Sequence, residues 1–335
     1  MSGISAEIIA NASDLSALAP QWWELWRRIP SASPFQTPAW LLPWWRHFAP
    51  GRLFVLAARQ EGRLVALSPG YIEDGALGRR ILPLGISLSD HLDILVDPAC
   101  AQEALQAIAS IALSRSDAWD VWELEELPPG AMALKMQLPE GWSDEAAPQT
   151  PCPVLALQQD GVSAPIVFPR AKRQQINLAR NRAARRGTVR IEQPERDATG
   201  AALKHLSRLN RLRWASRGEP SVLSSPATEF HREAVAGLDE AGLLRFYILS
   251  IGDTVVAAHY GIAAHHRHCV YMTGFDPDYA FESPGVTLMA HTIDQAIAAG
   301  ALEFDFLRGG EAYKYEWGAV DRWNIKRSIR HSAHG

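Results

Sequence analysis

The pattern of hydrophobic and polar positions is clearest in the second half of the chain. Between residues 243 and 276, apolar runs interrupted at Gly252-Asp253 and around His265–Arg267 predict three consecutive β-strands. Ahead of them, leucines at every third position predict an amphipathic helix within residues 198–218. This order places helices next to a strand meander.

Two further helices flank the meander. One follows Pro169 and ends at Gly187, and the other begins at Ser283 and ends at Gly300, which are typical helix limits. A strand is predicted directly after the second helix, and another close to the C-terminus. The alternation of helices and strands predicts an α+β fold (α/β layered).

The first half shows a looser version of the same order. Its two short tryptophan-rich helices indicate aromatic core filling, with a groove for a sugar or an acyl chain as the alternative. Glu61-Gly62 separates two apolar runs and predicts a hairpin. Prolines between residues 127 and 154 break the regular pattern, so the domain junction is expected there. We therefore predict two domains, residues 1–150 and 151–335.

The composition is that of a soluble globular protein of 335 residues, 47% hydrophobic and 21% charged. No apolar run approaches the roughly 18–20 residues that span a bilayer, and no signal-peptide pattern is visible. Cys100, Cys152 and Cys269 lie far apart and fit neither a zinc pattern nor a disulfide framework. We predict a cytoplasmic protein without a metal or a transmembrane segment.

Charge is distributed unevenly along the chain. Residues 1–150 carry 10 basic and 18 acidic side chains, net −8, and residues 151–335 carry 23 and 19, net +4. Eight Lys or Arg residues and no acid lie between Arg170 and Arg190. This basic run is either a solvated helix face or a surface for the phosphates of a nucleotide, a tRNA end or a membrane headgroup. Because no aromatic residues are interleaved with these charges, DNA is not a predicted partner.

The helix start at Ser283-Pro284-Gly285 is a candidate anion site. Ser is a preferred N-cap, Pro is tolerated at the first helical position, and Gly lets a ligand approach the backbone. The free N–H groups and the dipole of such a helix start suit a phosphate. Glu282 would repel that anion if its side chain pointed inward.

The histidines fall into two groups. His259 lies inside a predicted central strand, where a polar ring must find a partner or face a cleft, so it is a candidate site residue. His265 and His266 fall in a predicted turn, and no carboxylate or cysteine lies at ligand spacing from them. We interpret that turn as solvated and not as a metal site.

The segment FDFLRGGEAYKYEWG, residues 304–318, concentrates ionisable side chains beside two glycines. Asp305 alternates with two phenylalanines on the predicted strand and points away from them. Tyr313 and Lys314 are candidates for a proton donor and a positive charge, and Glu311 and Glu316 for proton acceptors. These residue types favour a working surface, without defining a reaction.

Long blocks of the second half resemble GNAT-type acyltransferases associated with bacterial cellulose and exopolysaccharide biosynthesis, the CelD/BcsL-like group. The blocks are RWASRG, GLLRFYILSIGDTVVAAHYG, YMTGFDPDYAFESPGVTLM and FDFLRGGEAYKYEWG. This group is related to the Fem-type peptidyltransferases, which use aminoacyl-tRNA and contain two GNAT-like domains. Shorter blocks, SPFQTPAWLLPWW and LPLGISLSDHLDILVDP, extend the resemblance into the first half.

The resemblance implies tandem GNAT-like domains with mixed, mostly antiparallel central sheets, the N-terminal domain being degenerate. It implies an acyl-CoA whose pyrophosphate is held at the helix start, here Ser283, Pro284 and Gly285. The usual signature of that helix start is reduced to one glycine in this chain. In Fem-type enzymes a lysine in an aromatic-Lys-x-x-aromatic-Gly stretch neutralises charge at the reaction centre, a role that Lys314 would inherit.

The resulting hypothesis is N-acyl transfer (EC 2.3.1.-) from acyl-CoA to an amine on a small molecule or sugar, in polysaccharide or cell-envelope biosynthesis. Glu311 or Asp305, with His259 behind them, would accept the amine proton. Tyr313 or Lys314 would stabilise the departing thiolate.

Backbone N–H groups of the strand near Tyr271–Gly274 would stabilise the oxyanion, which adds Thr273 and Gly274 to the residues that contact the donor. Two alternatives stay open at this point. The first is aminoacyl transfer from a charged tRNA, with the basic run holding the acceptor stem. The second is a non-catalytic, GNAT-like partner of a polysaccharide-synthesis or membrane-associated complex.

Overall fold

The computed structural model of the protein describes residues 3–158, 168–215 and 225–332. The chain divides into two compact units. Unit 1 comprises Met1–Thr150 and Arg322–Gly335, and unit 2 comprises Pro151–Asp321. The sequence prediction had counted residues 322–335 with the second domain. Residues 216–218 of the RWASRG block lie outside the described residues.

Among its described residues, unit 1 contains two groups of paired strands and four α-helices. Its strands are β1 (Ile4–Ile9), β2 (Arg52–Leu53), β3 (Val55–Gln60), β4 (Arg63–Ser68), β5 (Gly70–Gly75), β6 (Gly78–Pro83), β7 (Leu95–Val96) and β8 (Val121–Leu127). Its helices are α1 (Ala12–Ala17), α2 (Ala19–Arg28), α3 (Pro38–Phe48) and α4 (Ala101–Leu113). Strands β1, β3, β4 and β7 form an antiparallel sheet in the order β1-β3-β4-β7. Glu61 and Gly62 both have positive φ, so the predicted hairpin turn between β3 and β4 is confirmed.

The tryptophan-rich helices fill the core of unit 1. Trp22 and Trp40 are fully buried. Each indole N–H has a partner, because Trp22 donates to Gln36 O at 2.9 Å and Trp40 to Ser89 Oγ at 2.8 Å. Burial of large rings with satisfied N–H groups is what core filling requires, so that interpretation is confirmed.

Strand β9 (Trp142–Ala156) runs from unit 1 into unit 2 through three of the prolines that were expected to break regular structure. That expectation was wrong for this segment. Proline lacks the backbone N–H but keeps its carbonyl. Pro151 O accepts from Gly309 N and Pro153 O from Phe306 N, both at 2.9 Å.

Unit 2 contains one mixed sheet and five helices within its described residues. In chain order its elements are α5 (Arg170–Arg186), β10 (Val189–Glu192), α6 (Thr199–Ala215), α7 (Ser225–Glu240), β11 (Leu244–Ile251), β12 (Thr254–Ala264), β13 (Arg267–Phe275), α8 (Pro284–Ala298), β14 (Glu303–Asp305) and α9 (Ala312–Tyr315). Strand β15 (Val320–His331) then carries the chain back into unit 1, where it pairs with β8. Strands of unit 2 follow the order β10-β11-β12-β13-β14-β9, and only β13 and β14 are parallel.

Helices cover both faces of this sheet. On one face, Ile176 of α5 and Ile293 of α8 belong to a core cluster with Val270 of β13. On the other face, α6 comes so close that a Cβ at Gly274 would lie 2.9 Å from Leu209 Cβ. Because helices cover both faces of the sheet, a ligand can approach the described part of β13 only from its edge. That edge begins where the neighbouring strand β14 ends.

Candidate active site

A cavity of about 410 Å³ in unit 2 brings most of the predicted site residues together. Its lining includes seven of them: His259, Thr273, Gly274, Ser283, Pro284, Gly285 and Tyr313. The other three, Asp305, Glu311 and Lys314, are not part of the lining. Sequence segments as far apart as β12 and α9 therefore meet around one space.

The cavity lies where strands β13 and β14 part. The two strands pair in parallel from Arg267 opposite Glu303 to Cys269 opposite Asp305. Strand β14 ends at Asp305, whereas β13 continues to Phe275. Within the described residues no strand pairs with that last part of β13 on this side. An extended ligand that entered the cavity would therefore run along this edge of β13.

A β-bulge marks the same stretch of β13. Tyr260 lies opposite Met272 and Gly261 opposite Val270, so Tyr271 is an extra residue in the ladder with β12. A bulge twists a strand and changes which face the following side chains occupy. Thr273 and Phe275 consequently line the cavity.

The predicted helix start forms another wall of the cavity. Ser283 is the residue before α8 and has φ 50° and ψ 53°, the left-handed conformation that favours glycine. Pro284 occupies the first helical position, and Val286 N donates to Ser283 O at 3.0 Å. A Cβ at Gly285 would meet nothing closer than Phe275 Cδ1 at 3.7 Å. Ser283 therefore adopts the backbone conformation that a glycine-rich signature would supply.

Glu282, the acid expected to repel an anion, is not part of the cavity lining. Its side chain is buried, and its Oε1 lies 3.3 Å from Arg186 Nη1. The ion pair reduces its negative charge at the helix start. Glu282 therefore does not exclude a phosphate from this position.

His259 forms a buried pair with His268, a partner that the sequence did not indicate. Their Nε2 atoms lie 3.2 Å apart. A Cβ at Gly261 would lie 2.6 Å from both of these nitrogens, so the pair needs glycine there. His259 Nδ1 has no hydrogen-bond partner among the described residues. The ring thus meets both predicted conditions: it has a partner and it borders a cleft.

Burial keeps this histidine pair neutral. Desolvation, with a smaller effect of His291, lowers the pKa of His259 from 6.5 to about 3. Desolvation, followed by the charges of His259 and Arg245, also lowers the pKa of His268 well below its usual value. One Nε2–H must then donate to the other Nε2, and His259 acts as a hydrogen-bonding group and not as a cation.

Lys172 and Glu316 also line the cavity, and sequence reasoning did not place Lys172 there. Lys172 Nζ lies 2.6 Å from Glu316 Oε2 and from Gln175 Oε1. It also lies 4.6 Å from the centre of the Trp317 ring, a cation–π distance. The side chain of Lys172 is buried, whereas about half of the Glu316 side chain is exposed.

Lys172 could have been recognised from the helical period of the basic run. It lies four residues before Ile176, and Ala179 and Ala183 continue the same buried stripe of α5. A lysine on the apolar stripe of a helix requires a partner. The number of basic residues in the run does not by itself distinguish the buried Lys172 from its exposed neighbours.

Lys314 organises the loop before α9. Its Nζ donates to the carbonyls of Leu307, Arg308 and Gly309 at 2.9–3.0 Å, and it lies 2.9 Å from Glu311 Oε2. The side chain is buried. With its three N–H groups directed at loop carbonyls, Lys314 is suited to hold the loop and has no donor left for a ligand.

Asp305 and Glu311 lie near that loop and away from the cavity lining. Asp305 is fully buried, and its Oδ1 accepts from Leu307 N at 2.9 Å. Glu311 is the residue before α9, and its side chain is half exposed beside Lys314. Both carboxylates therefore support the loop, whereas Glu316 is the carboxylate that borders the cavity.

Half of the basic run is used within unit 2. The ion pairs are Lys172 with Glu316 (2.6 Å), Arg180 with Asp294 (3.6 Å), Arg186 with Glu282 (3.3 Å) and Arg190 with Asp253 (3.4 Å). The exposed side of α5 still carries Arg170, Arg173 and Arg185.

The turn at His265 and His266 is formed as predicted, and both residues have positive φ. In the part of the chain that the structure describes, no group of three or more His, Cys, Asp or Glu side chains could hold a metal ion. No helix in residues 3–158, 168–215 and 225–332 is both long and apolar enough to cross a membrane.

One known protein family matches part of unit 2. Residues 170–315 match the acetyltransferase (GNAT) domain family. The matched range includes the helix start, the parted strands and most of the cavity lining. No curated protein sequence matches the chain significantly.

Solved structures resemble the chain over nearly its whole length. FemX has a TM-score of 0.67 at 11% identity, with 96% of each chain covered. The C-terminal domain of a protein assigned as a lysylphosphatidylglycerol synthetase from Agrobacterium fabrum has a TM-score of 0.58 at 10% sequence identity. The match covers 96% of this chain and 92% of that one. L-PGS from Bacillus licheniformis has a TM-score of 0.52 at 12% sequence identity, and the match covers 87% of each chain.

Such low identities concern the fold alone. The predicted α+β, GNAT-like fold with mixed sheets is confirmed. The finer assignment to the CelD/BcsL-like group stays a prediction.

Proposed function

We propose that unit 2 catalyses N-acyl transfer from an acyl-CoA to an amine. The observation that carries this proposal is the cavity where β13 parts from β14 beside the start of α8. A strand edge binds an extended ligand through main-chain hydrogen bonds, and a helix start offers N–H groups to a phosphate. An acyl-CoA presents both features, an amide-containing arm and a pyrophosphate.

Donor binding is assigned to two of the cavity walls. The N–H of Gly285 would bind the pyrophosphate at the helix start, and Ser283 and Pro284 would shape the turn around it, because proline has no N–H and Ser283 N donates to Ala280 O. Thr273 and Gly274 would contact the thioester, and an N–H of this strand edge would stabilise the oxyanion. The cavity volume of about 410 Å³ lies in the range of ligand pockets.

We assign the base role to Glu316 and not to Asp305 or Glu311, because a base must reach the amine and Glu316 is the one carboxylate among the described residues that borders the cavity. Lys172 would hold the carboxylate in place through the 2.6 Å ion pair. The amine nitrogen attacks the thioester carbonyl, the C–N bond forms, and the C–S bond breaks. The proton of the amine passes to Glu316, directly or through water.

Tyr313 is assigned as the group that protonates the departing thiolate, since its side chain lines the cavity. Lys314 is proposed to act as a positioning residue that fixes the loop leading to Tyr313. His259 is proposed to orient a ligand by a hydrogen bond, because a ring with a pKa of about 3 is a weak proton acceptor.

Aminoacyl transfer from a charged tRNA is the second candidate. The similarity to FemX over 96% of both chains favours it, as does the exposed basic side of α5. Both reactions end in an amide and differ in the donor. The proposal also includes the acceptor, which is an amine on a small molecule or sugar, and a role in polysaccharide or cell-envelope biosynthesis.

The test is donor turnover. The purified full-length protein is incubated with acetyl-CoA and a panel of amines that includes amino sugars and amino acids, and release of the free CoA thiol is followed. Amine-dependent thiol release is expected. Aminoacyl transfer from charged tRNA without thiol release would favour the second candidate, and absence of both reactions would favour a non-catalytic partner.

A further inference from the structure

Phe281 is an exposed aromatic residue beside the cavity. It belongs to the 3-10 segment Pro277–Glu282, which leads directly into α8, and it is 67% exposed. Ala280 and Ser283, on either side of it in the chain, both line the cavity. A single exposed apolar side chain is common in proteins. Its contacts therefore decide what it does.

Arg182 of α5 covers one face of the Phe281 ring. The Arg182 Cζ atom lies 4.1 Å from the ring centre. Arg182 Nη1 also donates to Phe281 O at 3.2 Å, so the guanidinium is tied to the same residue that it covers. With one face against Arg182 and two thirds of the residue exposed, the rest of the ring faces solvent. Such an arrangement is a fixed flat surface backed by a cation.

The surroundings of the ring are mainly basic. Arg186, one turn further along α5, lies with its Cζ 4.9 Å from the centre of the Tyr279 ring and forms an ion pair with Glu282. Arg185 is exposed next to it. Asp278 is the exposed acid of the segment. Positive charge around a flat exposed ring, beside a helix start, suits a planar base that carries phosphates.

We propose that Phe281, backed by Arg182, is the stacking platform for the adenine base of the CoA donor. This inference rests on the proposed function and deepens it, because it selects free CoA over a donor that carries only the phosphopantetheine arm. The thioester arm would occupy the cavity, the pyrophosphate the helix start, and the base the platform beside Ser283. Stacking on an aromatic side chain contributes enough that its removal weakens binding about tenfold or more.

The experiment compares two ligands by titration calorimetry on the full-length protein: CoA, and 4′-phosphopantetheine, which lacks the 3′-phosphoadenosine and one phosphate of the pyrophosphate. Wild-type protein should bind CoA at least about tenfold more tightly. Phe281→Ala should weaken CoA binding about tenfold and leave 4′-phosphopantetheine binding unchanged, whereas Phe281→Trp should bind both ligands as wild type does. Leu302→Ala, at an exposed apolar residue between α8 and β14, is the matched control and should bind CoA as wild type does.

Three outcomes would overturn the inference in distinguishable ways. If Phe281→Ala binds CoA as tightly as wild type, the platform is wrong and the proposed CoA-dependent function stands. If Phe281→Ala weakens binding of charged tRNA but not of CoA, the surface serves the RNA donor. If wild-type protein does not bind CoA, the proposed donor fails together with its platform.

Discussion

The Nε2 atoms of His259 and His268 lie 3.2 Å apart on adjacent strands of unit 2, in the space left by the missing side chain of Gly261. His259 is the predicted site residue, His268 is the partner that holds it, and Gly261 makes room for both. The pair places a neutral imidazole beside the cavity. Its geometry therefore depends on a position that carries no functional group.

Gly261→Ala should destabilise the protein. The new Cβ would lie 2.6 Å from both imidazole nitrogens and 3.0 Å from Cys269 O, in a buried sheet that cannot expand freely. Overpacking of this kind costs about 1–3 kcal/mol. Urea unfolding measures the loss. Gly200→Ala in α6 is the matched control, because nothing lies within 4 Å of a Cβ there; equal stability of the two variants would contradict the account.

Acidification should destabilise unit 2 through its buried histidines. Burial lowers the pKa of His231 from 6.5 to about 4. The unfolded state then binds more protons between about pH 4 and 6.5, so the stability contributed by the neutral ring is present above pH 6.5 and is lost as the pH falls. At pH 5 the loss is about 2 kcal/mol, from 1.36 kcal/mol per pH unit.

His231→Phe isolates that contribution. The difference in unfolding free energy between pH 7.5 and pH 5 should shrink by about 2 kcal/mol relative to wild type. Comparing the two proteins also cancels Asp93 of unit 1, whose pKa burial raises to about 6 and which acts in the opposite direction. An identical pH dependence of the two proteins would show that His231 is not neutral and buried as described.

Lys314→Met should lower stability by about 3 kcal/mol, because three loop carbonyls and Glu311 lose a buried cationic donor. Thermal and urea unfolding measure this loss. Lys204→Met, at an exposed position of α6, should change stability by less than about 0.5 kcal/mol. If Lys314→Met kept full stability and lost turnover, Lys314 would have the direct role at the reaction centre that the Fem-type resemblance implied.

Glu316→Gln should lower turnover by about 10²- to 10⁴-fold, because the amide cannot accept the amine proton. Binding of acetyl-CoA should change little, since the carboxylate is assigned to the acceptor side. Glu192→Gln, an exposed carboxylate on β10, should keep wild-type turnover. Steady-state kinetics with the best amine decides; turnover of Glu316→Gln within about twofold of wild type would remove the base role.

Elements with strong local signals were predictable. The hairpin at Glu61-Gly62 follows from two residues that tolerate positive φ between apolar runs. Helices α5 and α8 carry proline at or just before their first residue and lie between recognisable limits. The strand meander was predictable because its apolar runs end at turn residues. Six of the seven predicted site residues that line the cavity lie on the meander, on α8 or directly before α8, and the seventh, Tyr313, lies on α9.

Features that depend on tertiary packing were not predictable. Strand β9 survives its prolines because the carbonyls of Pro151 and Pro153 find donors on a segment about 150 residues away in the chain. Lys172 lies four residues before a buried isoleucine, but only the folded helix places it 2.6 Å from Glu316. The sequence around Lys314 resembles the stretch that contains a catalytic lysine in Fem-type enzymes. In the folded chain, however, its Nζ donates to three carbonyls of the loop before α9.

The parting of β13 and β14 is the feature on which the proposed function depends most. The local sequence pattern did not predict it, because the parting depends on where β14 ends relative to β13, which only the folded sheet determines. The local sequence pattern likewise does not predict the β-bulge at Tyr271. The family resemblance predicted a donor site at the start of α8, and an experiment must establish which ligand binds there.

The most direct test is titration calorimetry of acetyl-CoA against wild-type protein, Gly285→Glu and Gly200→Glu. Gly285→Glu places a carboxylate in the cavity at the start of α8, whereas Gly200→Glu makes the same change near the start of α6, away from the cavity. We predict one acetyl-CoA per chain for wild type and Gly200→Glu, and at least about 100-fold weaker binding for Gly285→Glu. Equal binding by all three proteins, or none by wild type, would contradict the assignment of this cavity to the donor.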